Sequence, residues 1–214
     1  GRAMPGQPAN DAQEVRPFTF CGKVLPDHEL VIRDNEGNDL GDRLIGRVHV
    51  RGPSVMNGYF GDPAATKRVL SKTGWLDTGD MGYLVDGNLV ITGRGKDLII
   101  YNGRNIWPQD IEWAVEGLDG LRRGDAAAFS VEDEDGSEQV VVVVQCRATD
   151  SEARERLERE IAAQTRLIAG ADCKVVLAQP RSLPMTSSGK LSRTAAKANY
   201  LAGDYDPQQR NVAL

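Results

Sequence analysis

No apolar run in these 214 residues approaches the roughly 18 that a helical membrane span needs. The stretch from Gly1 to Val15 is rich in Gly, Pro and polar residues and has no apolar core, which argues against a secretory signal. Cysteine is scarce, and Cys21, Cys146 and Cys173 lie too far apart in the chain to suggest a disulfide scaffold. They read as reduced core thiols of a cytoplasmic protein. The two histidines, His28 and His49, have no Cys or His at ligand spacing, so no zinc site is expected. Basic charge is not in excess either: a net charge of -5 leaves no footprint for nucleic acid. What remains, 40% hydrophobic and 27% charged, is the composition of an ordinary globular chain. Its length suits one large domain or two small ones.

The text changes character along the chain. Residues 1–16 read as a loop or flexible leading segment. From Phe18 to Thr92 the pattern is β: Leu30–Ile32 stops at Asp34-Asn35-Glu36-Gly37, and Val48 and Val50 alternate with His49 and Arg51. Tyr83–Val85 and Leu89–Ile91 flank Asp86-Gly87-Asn88, a hairpin with a positive-φ turn. Short strands without long helices predict a small barrel-like or sandwich lobe. After Gly93, Leu98–Tyr101 runs as a strand into the turn signal Asn102-Gly103. Pro108 then opens a helix carrying Ile111, Val115 and Leu118 on one face, ending at Gly117 or Gly120. Ala126–Val131 and Val140–Cys146 are strands joined by an acidic turn, and the unbroken valines predict burial on both faces. Thr149 and Glu152 form a capping box for a helix with Leu157, Ile161 and Ile168 on one face, stopped by Gly170. Lys174–Leu177 is a further strand. The fold class is α+β, with a boundary near Gly93.

Three segments carry chemistry. Gly74-Trp75-Leu76-Asp77-Thr78-Gly79-Asp80 presents a carboxylate at the end of a turn, a good acceptor for two neighbouring hydroxyls; alone, Asp80 reads more readily as a turn cap. Gly93-Arg94-Gly95-Lys96-Asp97 offers a guanidinium for ribose and phosphate oxygens, or simply a charged linker. It is not a dinucleotide fingerprint, because the third glycine is absent and a strand follows. Pro184-Met185-Thr186-Ser187-Ser188-Gly189-Lys190-Leu191-Ser192-Arg193 is not a phosphate loop, since the earlier glycine is missing and Leu191 replaces the required Ser or Thr. It reads as a mobile loop bearing one lysine.

In their order, with Gly46-Arg47-Val48-His49-Val50-Arg51-Gly52-Pro53 before them and Tyr101-Asn102-Gly103-Arg104-Asn105-Ile106-Trp107-Pro108-Gln109-Asp110-Ile111-Glu112 between, these segments resemble the C-terminal third of the adenylate-forming superfamily. That family includes acyl-CoA synthetases, fatty acyl-AMP ligases, adenylation domains and luciferases. The resemblance implies a β-rich end of an N-terminal adenylation domain over 17–93, a hinge over 94–96 and a mobile α+β domain over 97–214. It implies that Asp80 and Arg94 hold the ribose of ATP, that Lys96 is the hinge and that Gly103 lets a pantetheine arm pass. Lys190 would be the catalytic lysine of adenylation. No metal ligand is expected in this stretch: the ATP and Mg²⁺ of such ligases would be bound mainly by upstream segments that these residues do not contain. A chain limited to these residues is therefore expected to be inactive alone. Gly103-Arg104-Asn105 followed by Pro108, Asp110, Ile111 and Glu112 resembles the fatty acyl-AMP ligase branch. That branch implies a fatty acid substrate and an acyl carrier protein as acceptor, with Arg104, Arg122 and Arg123 as docking candidates. The alternatives are a carboxylate-CoA ligase, and a detached non-catalytic module that binds a carrier protein.

Overall fold

The computed structural model describes residues 18–133 and 136–205. The leading segment and the two residues at the tip of the acidic turn lie outside that range. The chain divides after Lys96 into two compact units.

The first unit is built from strands β1 (Phe20–Gly22), β2 (Glu29–Arg33) and β3 (Gly46–Arg51), helix α1 (Pro63–Val69), and strands β4 (Leu76–Val85) and β5 (Asn88–Arg94). All strand pairs are antiparallel, in the order β1-β5-β4-β3-β2. The expected barrel-like lobe is one open sheet, with β1 and β2 at its edges. The hairpin between β4 and β5 turns through Asp86 (φ 50°) and Gly87 (φ 77°), both left-handed, which matches the twist of the strands it joins. Ile32, Val48 and Val90 are almost wholly buried. Elsewhere on the sheet the guanidinium groups of Arg33 and Arg51 lie 4.9 and 4.8 Å from the Trp75 ring centroid, and each is paired in turn with a carboxylate, Asp39 and Glu29. Cys21 is exposed on the edge strand, contrary to the expectation of a core thiol. An edge strand has no neighbour on one side to cover it.

Helix α1 was not foreseen. It buries no side chain, so no apolar stripe betrays it; it is held by Asp62, whose carboxylate accepts from the Ala65 N–H at 2.8 Å, and by Pro63 at its first position.

The second unit holds the hairpin β6 (Ile99–Tyr101) and β7 (Arg104–Ile106), helix α2 (Pro108–Glu116), strands β8 (Ala126–Glu132) and β9 (Glu138–Gln145), helix α3 (Ser151–Ala169), strand β10 (Cys173–Ala178) and helix α4 (Arg193–Leu201). β9 is central, antiparallel to β8 and parallel to β10. Val140, Val142 and Val144 pack with Ile111 and Val115 of α2 and Ile161 of α3. Val141 and Val143 pack on the other face with Phe129, Leu183 and Ala196 of α4. Both faces are dry, as the valine run predicts. The cap of α3 is Asp150, not Thr149: its carboxylate accepts from the Ala153 N–H at 2.8 Å, one residue later than the expected capping box. Gly170 ends the helix in the left-handed conformation. The buried Asp125 accepts from both Arg147 guanidinium nitrogens and from Gln145. Burial alone would raise this carboxyl; the Arg147 guanidinium, the Arg122 N–H and the Gln145 amide together outweigh it and hold it below the usual carboxylate range.

Candidate nucleotide and lysine sites

Asp80 lies inside β4, not at the end of a turn. The register of β3 against β4 runs from Arg47↔Met81 to His49↔Asp77, so Val48 faces three residues, Thr78 to Asp80. Gly79 absorbs the excess at φ 73°, where a side chain would be strained. The bulge is pinned by the Thr78 hydroxyl, which donates to the Val48 carbonyl at 2.9 Å, and by Asp77, whose Oδ1 accepts from the Gly79 N–H at 2.9 Å. Across the strand, Asp80 pairs with Arg94, and Arg94 Nε lies 2.9 Å from Asp80 Oδ1. Both groups are partly exposed, at 29% and 55% of the side chain, so carboxylate and guanidinium face solvent together. A carboxylate so placed can accept from two vicinal hydroxyls while the adjacent guanidinium donates to a third oxygen.

Lys96 lies in a short 3₁₀ turn, Gly95–Asp97, between β5 and β6. Gly103 (φ 74°) and Asn102 (φ 49°) form the two-residue turn of the β6–β7 hairpin. A Cβ at Gly103 would meet nothing within 4 Å. Arg104, next in sequence, places its guanidinium against Gly170, so close that a Cβ there would collide with it.

The lysine segment forms a short hairpin stapled by its own hydrogen bonds. Met185 bridges Leu191, the Thr186 N–H donates to the Lys190 carbonyl at 2.7 Å, and the Gly189 N–H donates to the Thr186 carbonyl at 2.9 Å. The Thr186 hydroxyl accepts from the Lys190 N–H at 3.1 Å and lies 3.0 Å from the Ser188 hydroxyl. These backbone and hydroxyl bonds leave the Lys190 side chain exposed at the turn.

Motif-by-motif reading missed a cluster that joins the ends of three motifs. Arg193 forks onto Glu112, Nε to Oε1 and Nη2 to Oε2, both at 2.6 Å, and its Nη1 reaches Asp97 Oδ2 at 3.1 Å. Glu112 Oε1 also accepts from the Ala128 N–H at 3.1 Å. Burial works against the guanidinium's charge, but the two carboxylates outweigh it and hold Arg193 above the ordinary arginine value. The signal was present in sequence, since Asp97, Glu112 and Arg193 close the quoted motifs, but their separation of up to 96 residues hides the contact.

No protein-family model matches the chain. Over 91% of its length it is 51% identical to a Caulobacter vibrioides protein that carries the name of an acyl-CoA synthetase, and it covers 34% of that protein. A solved structure from a study of fatty acyl-adenylate ligases of E. coli and L. pneumophila superimposes on 95% of the chain with a TM-score of 0.83 at 42% identity; 36% of that structure is covered. The chain belongs with the adenylate-forming ligases, in their C-terminal portion. It is also similar to McyG A-PCP, solved with phenylalanyl-adenylate, over 96% of the chain at 30% identity and a TM-score of 0.81, covering 38% of that structure. The chain thus spans about a third of the length of the relatives it matches.

Within this family of ligases, the residues singled out in sequence divide between the two units. Asp80, Arg94 and Lys96 belong to the first, Gly103 and Lys190 to the second. Among the described residues no three His, Cys, Asp or Glu side chains gather to hold a metal ion. They do not fit a Mg²⁺ cage. Nor is any described helix long and apolar enough to cross a membrane.

Proposed function

We propose that this chain supplies the C-terminal part of a ligase that activates a fatty acid with ATP and then hands the acyl group to the phosphopantetheine of an acyl carrier protein. The observation that supports the reading most is the likeness, over 95% of the chain, to a fatty acyl-adenylate ligase. In the first half-reaction a carboxylate oxygen attacks the α-phosphorus of ATP; an O–P bond forms, the bond to the β-phosphate oxygen breaks, and pyrophosphate leaves with its electron pair. Asp80 accepts from the ribose hydroxyls, with Arg94 beside it. Two anions meet in this step, and the Lys190 ammonium offsets the charge that gathers between them. In the second half-reaction a thiolate attacks the acyl carbon and AMP leaves. Lys96 is the hinge that exchanges one face of the second unit for another between the two steps.

The hinge assignment makes Lys96→Pro selective. Fixing φ at this position is expected to leave pyrophosphate release within about twofold and to slow thiol acylation at least about tenfold in the complete ligase. Normal acylation by this variant would remove the hinge from Lys96.

The acceptor separates the branches. Arm chemistry is the same in CoA and in a carrier, so discrimination rests on the protein surface around the arm. Arg122 and Arg123 are exposed and suit an acidic carrier. Arg104 suits it less, with its guanidinium laid against Gly170. The test supplies the complete ligase with ATP, a fatty acid and either CoA or phosphopantetheinylated carrier protein. Acylated carrier without acyl-CoA is expected; efficient acyl-CoA formation would instead favour a carboxylate-CoA ligase. Acylation of neither, without pyrophosphate release, would leave a binding module.

A further inference from the structure

The lysine hairpin ends in a buried anchor. Its last residue, Ser192, donates its N–H to the Pro184 carbonyl at 3.0 Å and accepts from the Ala195 N–H at 3.4 Å, so hairpin and α4 share a joint. Arg193 follows at once, with 23% of its side chain exposed, held against carboxylates that are 6% and 13% exposed. One carboxylate, Glu112, is fixed to the β8 backbone; the other, Asp97, directly follows Lys96. Apolar side chains would secure a helix end at less desolvation cost than a buried cation. What the planar fork adds is direction: two parallel bonds to Glu112 and a third to Asp97 leave the guanidinium one orientation.

We infer that Arg193 is a positioning residue for the Lys190 amine, locking the lysine hairpin to Asp97, the residue after Lys96. This rests on the reading of Lys190 as the adenylation lysine. Rotation at Lys96 then carries Asp97, Arg193 and the hairpin as one body, and the amine arrives at a fixed place. Without the Asp97 arm the hairpin keeps its own staples but loses its heading relative to the hinge.

The test is a double-mutant cycle in the complete ligase. Arg193→Lys keeps the charge and loses the fork; it is expected to slow pyrophosphate release by about 30- to 100-fold, the scale of a misplaced reacting group. Acyl transfer from preformed acyl-adenylate should stay within about twofold on the same argument. In a Lys190→Ala background the same substitution should cost nothing further, because the group it positions is gone. Equal losses from Arg193→Lys in both backgrounds, or none in either, overturn the inference and leave the lysine role standing. Adenylation untouched by Lys190→Ala alone removes that role and this inference with it. Should Arg193→Lys fail to fold, Asp97→Asn keeps the Glu112 fork and is expected to slow adenylation by about tenfold, with the same dependence on background. Hydrogen exchange gives a second readout in the chain itself. The Ser192 amide, at the joint between hairpin and α4, should exchange faster in the Arg193 variant while the Thr186, Gly189 and β9 amides do not change; unchanged Ser192 exchange counts against the anchor.

Discussion

Replacing Lys190 by alanine is expected to lower pyrophosphate release by about 100- to 1,000-fold, the usual cost of deleting one preorganised charge-stabilising group. Transfer from preformed acyl-adenylate should stay near its original rate, because the thiol step needs no cation between carboxylate and phosphate. The hairpin itself gives the variant a clean reading. Its staples run through backbone groups and the Thr186 and Ser188 hydroxyls, so truncating an exposed side chain leaves the turn intact. Pyrophosphate release from ATP and carrier acylation from preformed acyl-adenylate, measured separately in the complete ligase, check this. If both half-reactions fall together, Lys190 serves the fold and not the chemistry.

Glu112→Ala should be among the most damaging single changes to the second unit's stability, costing about 3–5 kcal/mol. It strands the Arg193 guanidinium, which has little water around it, and removes the acceptor of the Ala128 N–H. Glu112→Gln should cost less, since its amide oxygen can still accept from Arg193 or Ala128. Urea unfolding of the chain, followed by circular dichroism and by exchange of the β9 amides, reads the difference. A loss under about 1 kcal/mol is the range of a solvated surface pair and would contradict the buried anchor.

Local chemistry was readable from sequence and distant chemistry was not. Asp86-Gly87 and Asn102-Gly103 declared their hairpins because each turn needs two left-handed residues, a demand met by adjacent side chains. The valine run declared a doubly covered strand, and Gly170 a helix end. Three features with no periodic signal escaped. Helix α1 buries nothing. Helix α4 shows a face made of Ala196 and Tyr200, too small to stand out from its alanine-rich text. The bulge at Thr78–Asp80 depends on how β4 is laid against β3, and so on a register that no single strand encodes. The capping error at α3 was one of degree: Thr149 and Asp150 are both good caps, and the Asp150 carboxylate closes on Ala153. The Arg193 cluster is the strongest instance, since each member closes a different motif and only the folded unit brings the three together.

The same valine run raises a question that burial alone does not answer. In a strand with one wet face, sliding by one residue exposes the apolar set, and that cost defends the alignment. β9 offers no such defence: five identical side chains with dry surroundings on either side make neighbouring alignments nearly degenerate in hydrophobic energy. The alignment must be set at the ends of the strand, by polar groups whose partners sit at fixed positions. At one end the Ser130 hydroxyl donates to Glu138 at 2.8 Å. At the other the Gln145 amide donates to Asp125 at 3.1 Å, and the Gln145 backbone N–H to the Asp125 carbonyl at 2.8 Å. These polar pegs act as the vernier of an otherwise featureless scale, and the residues they index include the Leu183 that leads into the lysine hairpin, whose N–H reaches the Gln145 side-chain oxygen at 3.5 Å.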